Sequence, residues 1–141
     1  MMAETAVNIM TNKAKPIMTN STKTLSIVIP AYNEANFIGA LLEKIAKVNL
    51  TPLGLQKEIV VVNDCSVDQT AQIVREFTDV TLLEHTVNSG KGMAVRTGLD
   101  RATGDFLIIQ DADLEYDPED YIPMLEPLLN DQRMLSMEVD I

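Results

Sequence analysis

The 141-residue sequence contains no tryptophan and only one cysteine, Cys65. A single cysteine excludes a disulfide within the chain and fits a reducing compartment. No apolar run approaches the roughly 20 residues that a membrane-spanning helix needs. The N-terminus also lacks the apolar segment of a signal peptide. These absences indicate a soluble, cytoplasmic chain.

Basic residues are scarce as well, with 11 Lys and Arg against 21 Asp and Glu, for a net charge of −10 at pH 7. No basic stripe is visible that would neutralise phosphates, so we expect no nucleic-acid partner. The same charge would repel an anionic lipid surface. A chain of this length with 46% hydrophobic residues is sufficient for one domain with a substantial core.

Four short runs rich in branched apolar residues predict buried strands, because strands covered on both faces are almost continuously apolar. The runs are residues 25–30, 58–62, 80–83 and 106–109. Helical spacing of apolar residues predicts helices that end at about residues 48, 77, 102 and 129, with Asn33 as the first N-cap. This alternation predicts an α/β fold with a Rossmann-like, mostly parallel sheet and helices on both faces.

The two ends of the chain differ from this middle part. Residues 1–24 are rich in Ser, Thr, Asn and Lys without sustained periodicity, which predicts a disordered leader before a domain at residues 25–130. Residues 131–141 alternate apolar and polar near their end, which predicts an extra strand. We hypothesise that this tail pairs beside the strand at 106–109. Without it, that strand would have a bare apolar edge through which the chain could form a homo-oligomer.

An acidic stretch follows the last predicted strand, with six acids in ten residues from Asp111 to Asp120. Asp111 and Asp113 are two residues apart, so in extended backbone their side chains point the same way. Two hard oxygen ligands at the C-terminal end of a strand suit Mg²⁺ or Mn²⁺, which in turn hold phosphates. The alternative is a solvated loop, with residues 117–120 starting a helix. An EF-hand is excluded because Tyr116 stands where its loop requires Gly.

Polar residues also follow the first two strands. Tyr32 offers a ring that stacks on a base, and Glu34 offers oxygens to a ribose. Asp64 offers an acceptor to a base N–H. The alternatives are that Tyr32 is a half-buried loop residue and that Asp64 bonds its own turn while Asp68 caps the next helix. Because parallel strands end at one rim of the sheet, these residues are expected to converge on one crevice, as in nucleotide sites.

A further loop, Asn-Ser-Gly-Lys-Gly at residues 88–92, puts Lys91 and flexible backbone at a helix N-terminus, which is a natural anion site. The alternative is a turn with a solvated lysine. It is not a phosphate-binding Walker A loop, because Gly92 stands in place of the Ser or Thr. His85 is expected to be an ordinary loop residue. Cys65 has no visible activating partner, and neither is assigned a role.

Together the segments SIVIPAYNE, EIVVVNDCSVDQT, NSGKGMAVRTGLDRATGDFLIIQDAD and LEYDPEDY resemble the successive blocks of family 2 glycosyltransferases with the GT-A fold. Within that family they look like the dolichyl- or polyprenyl-phosphate sugar transferases of the dolichol-phosphate mannose synthase type. The resemblance spans about residues 25–129. It implies a metal-assisted, inverting transfer from a nucleoside-diphosphate sugar to an acceptor such as a polyprenyl phosphate, at a membrane face in a full-length form.

The resemblance also assigns residues to the donor site. By position, Pro30, Tyr32 and Glu34 line the nucleoside pocket, and Val62 and Asp64 lie near the base. The usual Asp-Asp-Gly-Ser turn is Asn-Asp-Cys-Ser here. We therefore expect Asp64 to make the base contact alone. We also expect the turn to avoid positive φ at Cys65.

The remaining donor residues are Lys91 and the DxD block, Asp111, Ala112 and Asp113. Asp113 is expected to bind Mg²⁺ or Mn²⁺ directly, with Asp111 and Glu115 as further ligands, so that the metal neutralises charge on the leaving diphosphate. A polyprenyl phosphate is already an anion, so no protein base is required and no catalytic residue is assigned. Family members continue into an acceptor-binding half. We therefore expect a chain truncated after the DxD region, the alternative function being a non-catalytic module that binds nucleotide sugars.

Overall fold

The apolar runs of the sequence form one sheet in the computed structural model, which describes residues 9–11, 22–112 and 117–130. The strands in this part of the chain are β1 (Ile9–Thr11), β2 (Lys23–Ala31), β3 (Leu55–Asn63), β4 (Val80–Glu84) and β5 (Phe106–Ile109). The helices are α1 (Ile38–Lys47), α2 (Thr70–Arg75), α3 (Lys91–Arg101) and α4 (Tyr121–Asn130), with 3₁₀ turns at Thr51–Leu53 and Pro118–Asp120. None of these described helices has both the length and the apolar character to cross a bilayer.

The strand order is β1-β5-β2-β3-β4, with every neighbouring pair parallel except β1 and β5. Alternate residues of β2 face opposite ways. Ile27 packs with α1 and α4 in the main core, whereas Val28 lies on the other face, where α3 packs. Helices therefore cover both faces, which confirms the predicted α/β fold and its mostly parallel sheet.

Helix α3 lies close to the sheet because Gly98 has no side chain. A Cβ at Gly98 would overlap Val28 Cγ1 and lie 3.2 Å from Val62 Cγ2. Strands β2 and β3 run parallel to each other, and α3 runs back across them, as a right-handed crossover requires. The N-terminus of α3 therefore lies at the end of the sheet where β2 and β3 finish.

Strand β1 lies where the sequence suggested a disordered leader. Ile9 pairs with Ile108 and Thr11 with Phe106, antiparallel, and Met10 is buried in the same cluster as Val28. The expected disorder therefore does not hold for Ile9–Thr11 or for the start of β2, while residues 1–8 and 12–21 lie outside the described residues. The physical reason is that β5 offers an unpaired apolar edge, and three residues suffice to cover it.

The same pairing changes the expectation for the other end of the chain. The edge of β5 assigned to the tail is paired with β1 from Phe106 to Ile108. The hypothesis that the tail pairs with this edge therefore does not hold for residues 106–108. The edge is not bare at these residues, so the predicted homo-oligomer through a bare strand does not hold either. The tail itself, residues 131–141, lies outside the described residues.

Candidate functional site

A pocket of about 490 Å³ lies at the C-terminal ends of β2, β3 and β5, next to the start of α3. Its walls come from four separate segments of the chain. The lining residues are Pro30, Ala31, Tyr32, Glu34, Asp64, Asn88, Gly90, Lys91, Ala94, Asp111 and Ala112. The predicted convergence of strand-end residues on one crevice is therefore what the structure has.

Most of the residues predicted for the donor site line this pocket. They are Pro30, Tyr32, Glu34, Asp64, Lys91, Asp111 and Ala112. Val62 does not line it, because its side chain is fully buried beneath α3 with Ala94. Asp113 and Glu115 lie outside the described residues. The structure thus brings together the residues that were predicted to contact the nucleoside and the phosphates. Val62 instead belongs to the core.

The loop that carries Tyr32 and Glu34 is fixed by the loop after β3. Asn33 adopts φ +55°, its N–H donates to Ser66 Oγ at 2.8 Å, and its Oδ1 accepts from the Val67 N–H at 2.9 Å. Asn33 is not the N-cap of α1, which begins only at Ile38. Its side chain instead joins two strand-end loops, and this leaves the ring of Tyr32, 46% exposed, at the pocket wall.

A second set of hydrogen bonds joins the same two loops at Thr70 and Asp68. The Glu34 N–H donates to Thr70 Oγ1 at 2.9 Å, and the Ala35 N–H donates to Asp68 Oδ2 at 3.1 Å. The Thr70 hydroxyl donates in turn to Asp68 Oδ1 at 2.5 Å. Burial pushes the pKa of Asp68 upward, but hydrogen bonds from Thr70 and Ala35 outweigh it and hold that pKa below its usual value. Asp68 also accepts from the Thr70 N–H at the start of α2, as a capping residue does.

Asp64 is the most enclosed carboxylate of the pocket, at 3% exposure. Its Oδ1 lies 2.8 Å from His85 Nδ1 and accepts from the Ser89 N–H at 2.8 Å, and its Oδ2 accepts from the Gly90 N–H at 2.7 Å. The Asn88 side chain donates to the Asp64 carbonyl oxygen at 3.2 Å. Burial acts to raise the pKa of Asp64, yet the hydrogen bonds from His85 and the two backbone amides prevail and lower it. Asp64 is therefore an ionised anchor for the loop before α3.

The turn after β3 corrects one expectation. Cys65 has φ +63°, in the left-handed region that the sequence analysis expected it to avoid. A side chain there costs about 1–2 kcal/mol, and neighbouring hydrogen bonds offset this cost. Asn63 Oδ1 accepts from the Ser66 N–H at 3.0 Å, and the Asp64 N–H donates to the Ala31 carbonyl at 2.9 Å.

The part of the pocket that was predicted from the sequence to bind an anion lies where α3 begins. Gly90, at φ +95°, precedes Lys91, the first residue of the helix, and both line the pocket. Lys91 Nζ lies 2.6 Å from Asp111 Oδ1, so the lysine, although largely exposed, is paired with the first residue of the DxD block. A helix N-terminus and a cation thus face a carboxylate across one pocket wall.

The donor chemistry of the pocket suits a divalent cation at Asp111, whose partly exposed carboxylate presents hard oxygens. In the described part of the chain, no three carboxylate, imidazole or thiol side chains come together as a metal-binding group. The two other residues predicted as ligands, Asp113 and Glu115, fall outside it. Of the three residues predicted as metal ligands, Asp111 is therefore the one that the structure describes.

Three residues without a predicted role belong to the site or support it: Asn88 lines the pocket, whereas Asn63 and His85 hydrogen-bond to the loop after β3. The role of His85 follows from the order of the strands in the sheet, and this order was not predicted from the sequence. Strand β4 pairs in parallel with β3, with Asn63 opposite Glu84, so the residues that follow them, Asp64 and His85, are neighbours. A histidine that directly follows one strand is thus a candidate partner for a buried aspartate that directly follows the neighbouring strand.

The fold and the pocket define a class, an α/β protein with a ligand pocket at the C-terminal ends of parallel strands. The sequence profile described as Glycosyl transferase family 2 matches residues 26–139, and the chain belongs to this family. This confirms the resemblance seen in the sequence.

Relatives from archaea and bacteria share the matched part. A dolichol-phosphate mannosyltransferase of Pyrococcus furiosus is 34% identical over 109 residues, which are 75% of this chain and 30% of that protein. The crystal structure of S. aureus TarS in complex with UDP-GlcNAc is similar with a TM-score of 0.64 and 30% identity, over 74% of this chain and 31% of that one. A mannosyltransferase of Pyrobaculum calidifontis, in complex with GDP-Man and Mn²⁺, gives a TM-score of 0.62 and 33% identity, over 73% and 31%. The chain spans about a third of the length of these relatives, and its α/β sheet matches their fold.

Proposed function

We propose that this chain binds a nucleoside-diphosphate sugar together with Mg²⁺ or Mn²⁺ as the donor-binding part of a glycosyltransferase. The reaction is an inverting transfer to an acceptor such as a polyprenyl phosphate, at the cytoplasmic face of a membrane. One observation carries the proposal. Residues that the family resemblance assigns to the donor, from four separate segments, line a single pocket of about 490 Å³.

The nucleoside end of the pocket is formed by β2 and β3. Tyr32 presents an exposed ring to stack on the base, and Glu34 presents a carboxylate to the ribose hydroxyls. Asp64 lies between them and the loop before α3, with its carboxylate held by protein donors. Its role here is to fix the wall against which the base lies and to accept one further hydrogen bond from it.

The diphosphate end is formed by the start of α3. The first turn of a helix has amide groups without intrahelical partners, and Lys91 adds a full positive charge. Lys91 pairs with Asp111 at 2.6 Å. In the donor complex, Lys91 would pair with the phosphate oxygens, and Asp111 would hold the metal together with Asp113 and Glu115. When bound, the metal stabilises the charge that develops on the leaving diphosphate.

The acceptor assignment rests on the named activity of a relative, the dolichol-phosphate mannosyltransferase of Pyrococcus furiosus. A lipid phosphate is an anionic nucleophile, so the chemistry places no demand for a general base on this chain. Because the chain spans about 30% of that relative, donor binding and sugar transfer by this chain are separate proposals. The second candidate function is therefore a module that binds the nucleotide sugar without transferring it.

Calorimetric titration of UDP, GDP and their sugar conjugates, with and without Mn²⁺, tests donor binding. We expect one of the nucleotides to bind in a metal-dependent way. Asp111→Asn and Asp113→Ala should each remove most of the metal-dependent part. Asp100→Asn is the matched control, because Asp100 is an exposed acid on α3 outside the pocket and its variant should bind like wild type.

Two outcomes would contradict the proposal. Binding of no nucleotide by the wild type would remove the donor site, and equal losses in Asp111→Asn and Asp100→Asn would remove the role of Asp111. Release of the nucleoside diphosphate on addition of a polyprenyl phosphate then separates the transferase from the binding module, because the module would bind the donor and release nothing.

A further inference from the structure

His85 lies directly after β4 and contacts both Asp64, which lines the pocket, and helix α3. Its side chain is 15% exposed and has one partner at each ring nitrogen. Nδ1 lies 2.8 Å from Asp64 Oδ1, and Nε2 lies 2.9 Å from Thr97 Oγ1 on α3. The ring therefore bridges the carboxylate at the end of β3 and the helix whose N-terminus lines the pocket.

The partners determine which nitrogen carries the proton. Asp64 is ionised, so its carboxylate can only accept, and Nδ1 must be the donor. In the neutral ring, Nε2 then accepts from the Thr97 hydroxyl, which can turn to donate. Both ring nitrogens are satisfied in one tautomer and one orientation, and the ring is fixed at both ends.

The contact with Asp64 has a consequence for the loop at residues 85–90. The same carboxylate accepts from the backbone amides of Ser89 and Gly90, the residues that lead into α3. If the ring is removed, Oδ1 keeps only the Ser89 amide and Oδ2 only the Gly90 amide, so no side-chain donor fixes the rotation of the carboxylate against these two amides. Gly90 lines the pocket next to Lys91, so the diphosphate end would lose its fixed geometry.

We infer that His85 is a positioning residue of the nucleotide pocket, which acts by orienting the Asp64 carboxylate and, through it, the backbone of Ser89 and Gly90. The inference rests on the proposed function, because the pocket whose geometry it fixes is the donor site. His85 is not among the described residues that line the pocket. It acts on the pocket through Asp64.

Three substitutions of His85 separate positioning from a merely structural role. The amide nitrogen of Asn reaches the place of Nδ1, because both atoms are two bonds from Cβ, whereas that of Gln reaches the place of Nε2. His85→Asn therefore keeps a donor to Asp64. His85→Gln keeps only the contact with Thr97, and His85→Ala keeps neither.

The first measurement is the affinity for the nucleotide that the wild type binds, by titration calorimetry, with the thermal unfolding midpoint of each variant beside it. We expect His85→Ala and His85→Gln to weaken binding about tenfold, the scale of a lost second-layer hydrogen bond. His85→Asn should bind within about twofold of wild type. Equal losses in the Asn and Gln variants, or lowered unfolding midpoints with unchanged affinities, would overturn the inference.

A second measurement does not depend on any ligand. The ¹⁵N chemical shifts of the His85 ring should show the proton on Nδ1. Hydrogen exchange at the Ser89 and Gly90 amides should be faster in His85→Ala than in wild type and restored in His85→Asn. A proton on Nε2 with a bare Nδ1, or exchange unchanged in His85→Ala, would refute the positioning role. If the wild type binds no nucleotide, the proposed function fails, and these two readouts still decide whether His85 orders the loop.

Discussion

The Thr70 hydroxyl offers a direct test of how the two strand-end loops are joined. Thr70 is fully buried, donates to Asp68 Oδ1 at 2.5 Å and accepts from the Glu34 N–H at 2.9 Å. Thr70→Val replaces the hydroxyl by a methyl group of similar size, so it deletes both hydrogen bonds and leaves the packing nearly unchanged. Thr70→Ser is the matched control, because it keeps the hydroxyl and loses only a methyl group.

The hydrogen bonds of Thr70 set how much more Thr70→Val than Thr70→Ser lowers the free energy of unfolding. Depriving the Glu34 amide of its acceptor costs about 1–3 kcal/mol, and loss of a hydrogen bond to the charged Asp68 costs about 1.5–3 kcal/mol. Asp68 still accepts from the amides of Ala35 and Thr70, so we expect a total of about 2–4 kcal/mol for Thr70→Val. Thr70→Ser should cost about 1 kcal/mol, the value of one buried methyl group.

Urea unfolding followed by circular dichroism measures both variants against wild type. The midpoint should fall more for Thr70→Val than for Thr70→Ser, with unchanged m values. Because Glu34 lines the pocket, the valine variant should also bind nucleotide more weakly than the serine variant. A valine variant as stable as the serine variant would refute the reasoning, since the hydroxyl would then contribute nothing to joining the loops.

Three further predictions concern the core and the acids. Gly98→Ala should lower the free energy of unfolding by about 1–3 kcal/mol, because its Cβ overlaps Val28. Gly92 lies in the same helix, and a Cβ added there would meet no described atom outside its own turn within 4 Å. Gly92→Ala should therefore raise the free energy of unfolding by about 0.5–1 kcal/mol. Urea unfolding that ranks the two variants in the reverse order would contradict this packing. Asp68 has a lowered folded pKa, so its stabilisation is present above its ordinary value of 3.8 and is lost as pH falls through the folded pKa. Asp68→Asn should therefore be less stable at pH 7 and lose less stability on acidification, and parallel curves of unfolding midpoint against pH would contradict this. Tyr121→Phe removes the donor to Gln110 Oε1 at 2.6 Å and should cost about 1–3 kcal/mol in urea unfolding, where an unchanged midpoint would exclude a role for this bond.

The sheet was predictable because its strands are buried on both faces. Residues 59–62 are all apolar and all buried, which a strand with one solvated face would not allow. The pocket was predictable for a related reason. A polar residue such as Asp64, which directly follows the last residue of β3, must lie at the rim where parallel strands end.

The features that sequence reasoning missed depend on tertiary contacts. Strand Ile9–Thr11 has three residues, too few for a periodic signal, and forms because the edge of β5 accepts it. Positive φ at Cys65 goes against the preference of its residue type and is imposed by hydrogen bonds around it. The contact between Asp64 and His85 spans 21 positions and requires β4 to lie beside β3.

Strand register explains why the pocket residues meet. Ala31 pairs with Asn63, and Asn63 pairs with Glu84, so these three residues form one row across the sheet. The next row contains Tyr32, Asp64 and His85. Each lies one residue beyond the last pair of its strand, where the backbone leaves the ladder and the side chain gains access to the rim. The Tyr32 ring, the Asp64 carboxylate and the His85 imidazole are therefore placed at the same level by backbone pairing. A shift of β4 by one residue would move His85 away from Asp64, so the register of β3 with β4 sets the contact on which the inferred positioning of the loop before α3 depends.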